Sequence, residues 1–447
     1  MKGTSLPGND ASPNHNPDVE SCNREFKVAF LSEWFPPEPV GPPVWAVRQL
    51  AKQGLHPAVI TGKPNYPTGV ISAGYTKYSS SLETRDGIRI LRCPVFPSHD
   101  YSASRRIASY TSFALSTSLL AGRPLRAADA TLVFGTPATA TLAAMVARRR
   151  SGTPYVLWVQ DLWPDTVFAT GFYRDSRMRD AIWRSINWFV NKSYRQASRI
   201  AVISPGMRDA LIHRGVPREL VSVVYNWAEE ATMHPVTANG EMRRSLGISP
   251  DAVVLMYAGG LNRAQGLDTW IDAMSLLSGH QDLYLVFVGD GPERSHLTER
   301  ARVARLRNVH FLDPVPREEI AATIAESDAQ VVSLRDDPLF RITIPSKTQA
   351  ALACAKPILS SAGGDVAAIV ADSGAGWSSR STSPEDVAEV IRRAYVLGRE
   401  GLMALGKHGL AYYSAHMSER VGGSRLADLV REVARDPRPE PWPDFRS

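Results

Sequence analysis

The stretch Val253-Val254-Leu255-Met256-Tyr257-Ala258-Gly259-Gly260-Leu261-Asn262-Arg263-Ala264-Gln265-Gly266-Leu267 lies just past the middle of the chain. Its first six residues are apolar, as in a strand buried on both faces of a parallel sheet. Two glycines stop the run, and a helical pattern over 267–277 follows, so the stretch reads as strand, glycine turn and helix. Similar apolar runs follow at 283–288, 309–312, 329–334 and 357–360, helical patterns separate most of them, and another lies beyond the last at 384–397. Repeated strand–helix alternation is the mark of a doubly wound parallel sheet.

The same alternation precedes this stretch. Strands are expected at 27–31, 57–61, 88–92, 130–134, 155–159, 199–203 and 221–225, and helices at 44–53 and 205–214. A polar connector over 232–250 separates the two series. The fold class is therefore α/β, with two facing Rossmann-like domains and an inter-domain cleft. The expected units are a first domain over 26–235 and a second over 236–435, with the last helix free to pack back on the first. Residues 1–25 are expected to be disordered and 436–447, with four prolines, to be an irregular tail.

A chain of 447 residues with 44% hydrophobic and 21% charged residues suits two globular domains. The net charge of +6 and pI of about 9.2 fit an anionic substrate or an acidic membrane surface. No basic run with interleaved aromatics argues for nucleic acid. Cys22, Cys93 and Cys354 lie far apart without metal-ligand spacing and read as reduced thiols. The polar first 25 residues do not read as a secretory leader. No apolar run is long enough to span a membrane, 113–121 being short and rich in Ser and Thr.

In such folds ligands bind beyond the carboxyl ends of the strands. After the first strand comes Glu33-Trp34-Phe35-Pro36-Pro37-Glu38-Pro39-Val40-Gly41-Pro42-Pro43. Gly41 admits a phosphate to backbone amides at a helix start, and a proline-stiffened loop is the alternative. After the fifth, Asp161 either positions an acceptor hydroxyl or caps a helix. In the second half, Gly259, Gly260, Asn262, Arg263 and Gln265 form a glycine turn before a helix, a cradle for a diphosphate, although Arg263 is equally a solvated surface residue. Gly289-Asp290-Gly291-Pro292-Glu293-Arg294 lacks the third glycine of a dinucleotide fingerprint and reads as a tight turn. Pro345-Ser346-Lys347 opens a helix with a cation in its first turn, the end that favours anions, so a bound diphosphate or solvent must account for Lys347. The stretch 177–195 mixes basic residues with Trp183, Trp188, Phe189 and Tyr194, as in an interfacial helix or an ordinary packed one.

The chain resembles the retaining glycosyltransferases with two facing Rossmann-like domains, the GT-B architecture, family 4-like. It is most similar to the bacterial branch that builds capsule, colanic-acid and O-antigen sugars, fucosamine-type transferases included. The likeness rests on the joint order of Lys63-Pro64-Asn65-Tyr66-Pro67-Thr68-Gly69, Gly74-Tyr75, Asp86-Gly87-Ile88, Val159-Gln160-Asp161-Leu162-Trp163-Pro164, Tyr225-Asn226-Trp227, Ala264-Gln265-Gly266-Leu267-Asp268 and Ile344-Pro345-Ser346-Lys347. It implies a nucleotide-diphosphate sugar, a UDP-sugar being expected, held mainly by the second domain. The loop 259–266, Ser346 and Lys347 would face the diphosphate, Val315 and Pro316 the base. Gly41 and Asp161 would close the site from the first domain. It further implies hexosyl or N-acetylaminosugar transfer with retention to a lipid-linked or small-molecule acceptor, no cofactor and no metal. A cytoplasmic enzyme is expected, peripheral on the inner face of the membrane.

Departures from that pattern stand at Ile342 and Ala350, where many relatives carry glutamates. Gly260 and Gln265 replace a common Arg and Lys, and Gln160 a common histidine. Two other readings follow: a nucleotide-sugar epimerase, which would release epimerised donor without acceptor, and a non-catalytic partner subunit, which would release no nucleotide at all.

Overall fold

A computed structural model describes residues 26–98, 103–166 and 176–436. The expectations for 1–25 and for the tail beyond 436 lie outside them. The first sheet holds β1 (Phe26–Leu31), β2 (Leu55–Gly62), β3 (Ser81–Arg85), β4 (Ile88–Cys93), β5 (Ala130–Phe134), β6 (Tyr155–Val159), β7 (Arg199–Val202) and β8 (Val221–Val223), in the order β3-β4-β2-β1-β5-β6-β7-β8. Only the edge strand β3 runs antiparallel, against β4. The second sheet holds β9 (Val253–Ala258), β10 (Leu283–Val288), β11 (Val309–Leu312), β12 (Ala329–Val332), β13 (Ile358–Ser360) and β14 (Gly376–Ser378), all parallel, in the order β11-β10-β9-β12-β13-β14. The two domains are thus open Rossmann-like sheets.

Both orders reverse beside their first strand, at β1/β5 and β9/β12. Outside the carboxyl ends at such a reversal the crossover helices diverge and leave a crevice. Two sets of hydrogen bonds bring these edges together. The Ser204 hydroxyl, after β7, donates to the Ile342 carbonyl at 2.7 Å, and the Gly206 N–H to the Asp365 carboxylate at 2.9 Å. At the other end the Trp45 indole donates to Glu229 at 3.3 Å, while Arg317, after β11, pairs with Glu229 at 2.8 Å.

The structure adds elements that the sequence pattern does not single out. Helix Ala103–Leu120 is rich in Ser and Thr. Their hydroxyls turn back on the preceding turn, Thr117 to the Phe113 carbonyl at 2.7 Å and Ser118 to that of Ala114 at 2.6 Å, so they cost no unpaired polar groups. The helix expected over 384–397 continues to His416 through a kink at Gly398, whose φ is +71°. The helix over 44–53 starts three residues earlier, at Gly41. The last helix, Glu419–Arg435, buries Leu426, Ala427, Val430 and Val433 in the core of the first domain.

Candidate active site

Helix Ser346–Ala353 starts after Pro345 and places Lys347 in its first turn. The Lys347 ammonium sits 4.6 Å above the centre of the Tyr257 ring and donates to Gln265 Oε1 at 3.1 Å. Among the described residues it has no carboxylate partner. Burial pulls it from its ordinary 10.5 down to about 8. The hydroxyl of Tyr257, the last-but-one residue of β9, shares its one proton between the Gly260 carbonyl at 2.8 Å and Gln265 Oε1 at 3.1 Å. Gln265 is held in turn through its backbone carbonyl by Ser333, which accepts from Ser361 at 2.9 Å. Neither Tyr257, a strand residue in the sequence pattern, nor this serine chain stands out there as part of a site, because only the fold brings β9, β12 and β13 side by side.

Gly259 has φ +141°, and an added Cβ would stand 3.4 Å from the Lys347 Cε and Nζ atoms. At Gly289, also at φ +141°, a Cβ would lie 2.2 Å from the Gly259 carbonyl. The Gly289 turn is therefore part of the cradle, as the wall that lets the Gly259 loop fold close. Asn262 caps the single 3-10 turn Arg263–Gln265 by accepting from the Ala264 N–H at 3.2 Å. Arg263 is exposed and pairs with no acid among the described residues. Val315 is half-buried and Pro316 exposed, next to Arg317. Ser346 is exposed at the helix start.

Gly41 does not present an amide-rich turn. It is the first residue of its helix and is followed by Pro42 and Pro43, which have no N–H to offer. The Trp45 ring lies over it, within 2.2 Å of where a Cβ would stand, and Arg317 stacks 5.5 Å from the Trp45 ring centre. Phe35, Gly41, Trp45, Glu229 and Arg317 line a cavity of about 210 Å³ there.

On the first sheet's edge, Asp161 accepts from the Thr136 hydroxyl at 2.9 Å, joining the ends of β5 and β6. Burial raises its carboxyl above the usual range, and the Thr136 bond holds it back. Beside it runs a row of half-buried rings: Trp163 and Tyr110 at 5.8 Å, Tyr110 and Trp34 at 6.4 Å, Trp34 and Tyr66 at 5.8 Å. Glu33, 2% exposed, accepts weakly from Ser109 at 3.4 Å, and its Oε2 has no partner among the described residues. Burial, then the charge of Glu38, pushes it up to about 8. Neither the rings nor Glu33 stood out as a site in the sequence. Gln160 accepts from the Asn226 amide at 2.7 Å.

Ile342 serves the domain contact. Its carbonyl takes Ser204, its side chain packs on the first domain's core, and a Cβ on Gly206 would meet it at 2.4 Å. Ala350 is half-buried in its helix. No cluster of three or more His, Cys, Asp or Glu among the described residues is arranged to hold a metal.

Residues 44–227 match the model of a glycosyl transferase 4-like domain, and 239–406 that of glycosyl transferases group 1. The chain is 25% identical over 312 residues to WbjE of Pseudomonas aeruginosa, described as a glycosyltransferase, covering 69% of this chain and 76% of that one. It is 26% identical over 294 residues to WcaI of Escherichia coli (strain K12), described as a colanic acid biosynthesis glycosyl transferase, covering 64% and 70%. Sucrose-phosphate synthase from Thermosynechococcus elongatus superposes with a TM-score of 0.67 at 18% identity, over 92% of this chain and 99% of that one. Anabaena HepE in complex with UDP and glucose superposes at 0.64 with 15% identity, over 91% and 100%. These two likenesses show the shared fold.

Proposed function

This chain belongs to the bacterial glycosyltransferases of GT-B fold, and from that premise we propose that it moves a hexosyl or N-acetylaminosugar group from a UDP-sugar to a lipid-linked or small-molecule acceptor, with retention and without a metal. The observation that carries this reading is Lys347: a largely buried cation with one neutral amide oxygen in reach and, among the described residues, no acid, at a helix start beside Gly259. A buried unpaired charge is costly, and a diphosphate in the cradle would supply the missing anion.

In the proposed step the bond from the sugar's anomeric carbon to the diphosphate oxygen breaks and its electron pair stays on the diphosphate. The acceptor oxygen bonds to the same face of that carbon, and its proton passes to the departing phosphate. Lys347 and the amides around Gly259 stabilise the charge that develops there. Asp161 accepts a hydrogen bond from the acceptor hydroxyl and orients it. The ring row from Trp163 to Tyr66 offers apolar faces against which an acceptor lies.

A thermal-shift screen of UDP, GDP and dTDP, with transfer assayed in excess chelator, tests the reading. UDP should raise the melting temperature most and Lys347→Ala should abolish that rise. Loss of transfer in chelator with rescue by magnesium or manganese would remove the metal-free part. The absence of a rise with any nucleotide would remove the donor site.

A further inference from the structure

The connection from β2 to β4 contains no crossover helix. It runs through the edge strand β3 (Ser81–Arg85), so among the described residues one face of the sheet near that edge lacks its usual cover. Register identifies the face. Lys27 pairs with His56, Ala29 with Ala58, Ala58 with Arg89, Ile60 with Leu91, and Leu91 with Leu82. With two-residue alternation all eight side chains lie on one side. Helices Ala103–Leu120 and Gly122–Ala127 reach over only part of it.

What remains is a groove of about 550 Å³. Its floor is Ala29, Ala58, Ile60 and Leu91, and its walls include Leu82, Leu120 and Pro124. Leu82 is 81% exposed and Leu120 47%. The polar lining is entirely basic: Lys27, His56, Arg89 and Arg123, all exposed and none in an ion pair among the described residues. Asp129, next to the groove, spends one carboxylate oxygen on the Lys27 backbone N–H at 2.9 Å. Lys27, His56 and Arg89 stand at the amino ends of their strands, on the sheet edge opposite the candidate active site.

We propose that this groove takes one acyl chain of an anionic membrane lipid, with the lipid phosphate among Lys27, His56, Arg89 and Arg123. An acyl chain fits an apolar floor of aliphatic side chains, and a rim of basic side chains selects an anionic head over a zwitterionic one. The site lies outside the donor and acceptor chemistry. It also differs from an interfacial helix, since it binds lipid with a stoichiometry.

Native mass spectrometry of the full chain with dioleoylphosphatidylglycerol and with dioleoylphosphatidylcholine tests this. A single phosphatidylglycerol adduct per chain is expected, with little phosphatidylcholine. Arg89→Ala with Arg123→Ala, two exposed positions, should weaken its affinity about thirty-fold, at roughly 1 kcal/mol for each of the two basic residues. Leu82→Asp should do the same, and all should keep the melting temperature and the nucleotide response. Photo-crosslinking with a diazirine-bearing phosphatidylglycerol should label peptides around 82–91 and 120–128. Equal adducts of both lipids, occupancy indifferent to these variants, or labelling confined to other peptides would overturn the proposal. A chain that binds phosphatidylglycerol but responds to no nucleotide would leave the lipid groove standing and remove the donor reading.

Discussion

At the carboxyl edge of the second sheet a lysine rests on a tyrosine ring among glycines, with no acid to pair with among the described residues. At the facing edge of the first sheet two carboxyl groups, Glu33 and Asp161, stand by a row of four aromatic rings. The topology beneath is similar: parallel strands and a reversal beside the first strand. The difference lies in what the edges lack. The second is short of an anion. The first holds acids whose carboxyl groups burial pushes above their usual range, Glu33 to about 8, beside rings that suit a site for hydroxyls. The two requirements are complementary, as transfer from a diphosphate to a hydroxyl demands.

The comparison breaks most readily at Lys347. Lys347→Ala should cost roughly 2–4 kcal/mol of transition-state stabilisation, read as a fall in kcat. Melting temperature should hold, because the variant also removes a buried charge. The pH dependence sharpens the test. With Lys347 near 8, kcat/KM for the donor should fall as pH rises past that value and the ammonium loses its proton. Lys347→Arg, which stays charged, should show no such limb in whatever activity it retains. In stability the sign is opposite. The wild type releases the burial penalty between about pH 8 and the ordinary 10.5, so over that range it gains relative to Lys347→Ala.

The next test concerns the cradle's wall. Gly289→Ala would put a methyl group 2.2 Å from the Gly259 carbonyl at a φ of +141°, and should destabilise by about 1–3 kcal/mol in a denaturant titration. Gly260→Ala meets only the Asn262 amide at 3.6 Å and should stay within about 0.5 kcal/mol. Equal effects would remove the claim that the Gly289 turn shapes the Gly259 loop.

On the first edge, Glu33→Gln separates burial from function. Glu33 is held near 8 in the fold against an ordinary 4.5. Its protonated form is the one the fold accepts, so wild-type stability is lost as pH rises from about 4.5 toward 8. The Gln variant carries no charge to bury. Its melting temperature relative to wild type should climb across that interval and level off above it. A difference that stays constant with pH would mean that Glu33 is ionised in the fold.

The stretch 253–267 was legible because six apolar residues, two glycines and a helical period agree on one unit. Lys347 stood out because its charge opposes the helix end it occupies. The edge strand β3 did not, since Ser81–Arg85 pairs on one side only and carries mostly polar residues. Helix Ala103–Leu120 was hidden by hydroxyls whose satisfaction is visible only in the folded turn. Tyr257, Glu33 and the Trp45–Glu229–Arg317 contact are products of tertiary packing: each side chain is ordinary by itself and acquires its role from partners far along the chain. At Gly41 two readings stand open in the sequence, an amide turn and a proline-stiffened loop, and the neighbours Pro42 and Pro43 remove the donors that the amide turn needs.

The smallest expected effect is on the first domain alone. Helix Ser176–Gln196 divides its aromatics: Tyr194 is 3% exposed in the core, while Trp188 is 64% exposed and carries the Lys192 ammonium 4.7 Å from its ring centre. The side chains of Arg177 and Arg179 lie outside the described residues, but Arg184 and Arg195 are exposed one and two turns from Trp188. An exposed tryptophan among cations is the pattern of an interfacial helix. Each basic residue near an anionic surface adds about 1 kcal/mol, so three of them hold the protein only reversibly. Sedimentation with anionic vesicles should therefore show weak binding that fades with salt. Trp188→Ala and Arg184→Gln should each lower it a few-fold, without touching the nucleotide response of the second domain. The groove variants at Arg89 and Arg123 provide the control, because they should remove the bound phosphatidylglycerol and leave part of the vesicle binding. If the Trp188 and Arg184 variants sediment like the wild type, this helix is only a packed surface element, and membrane contact falls to the groove alone.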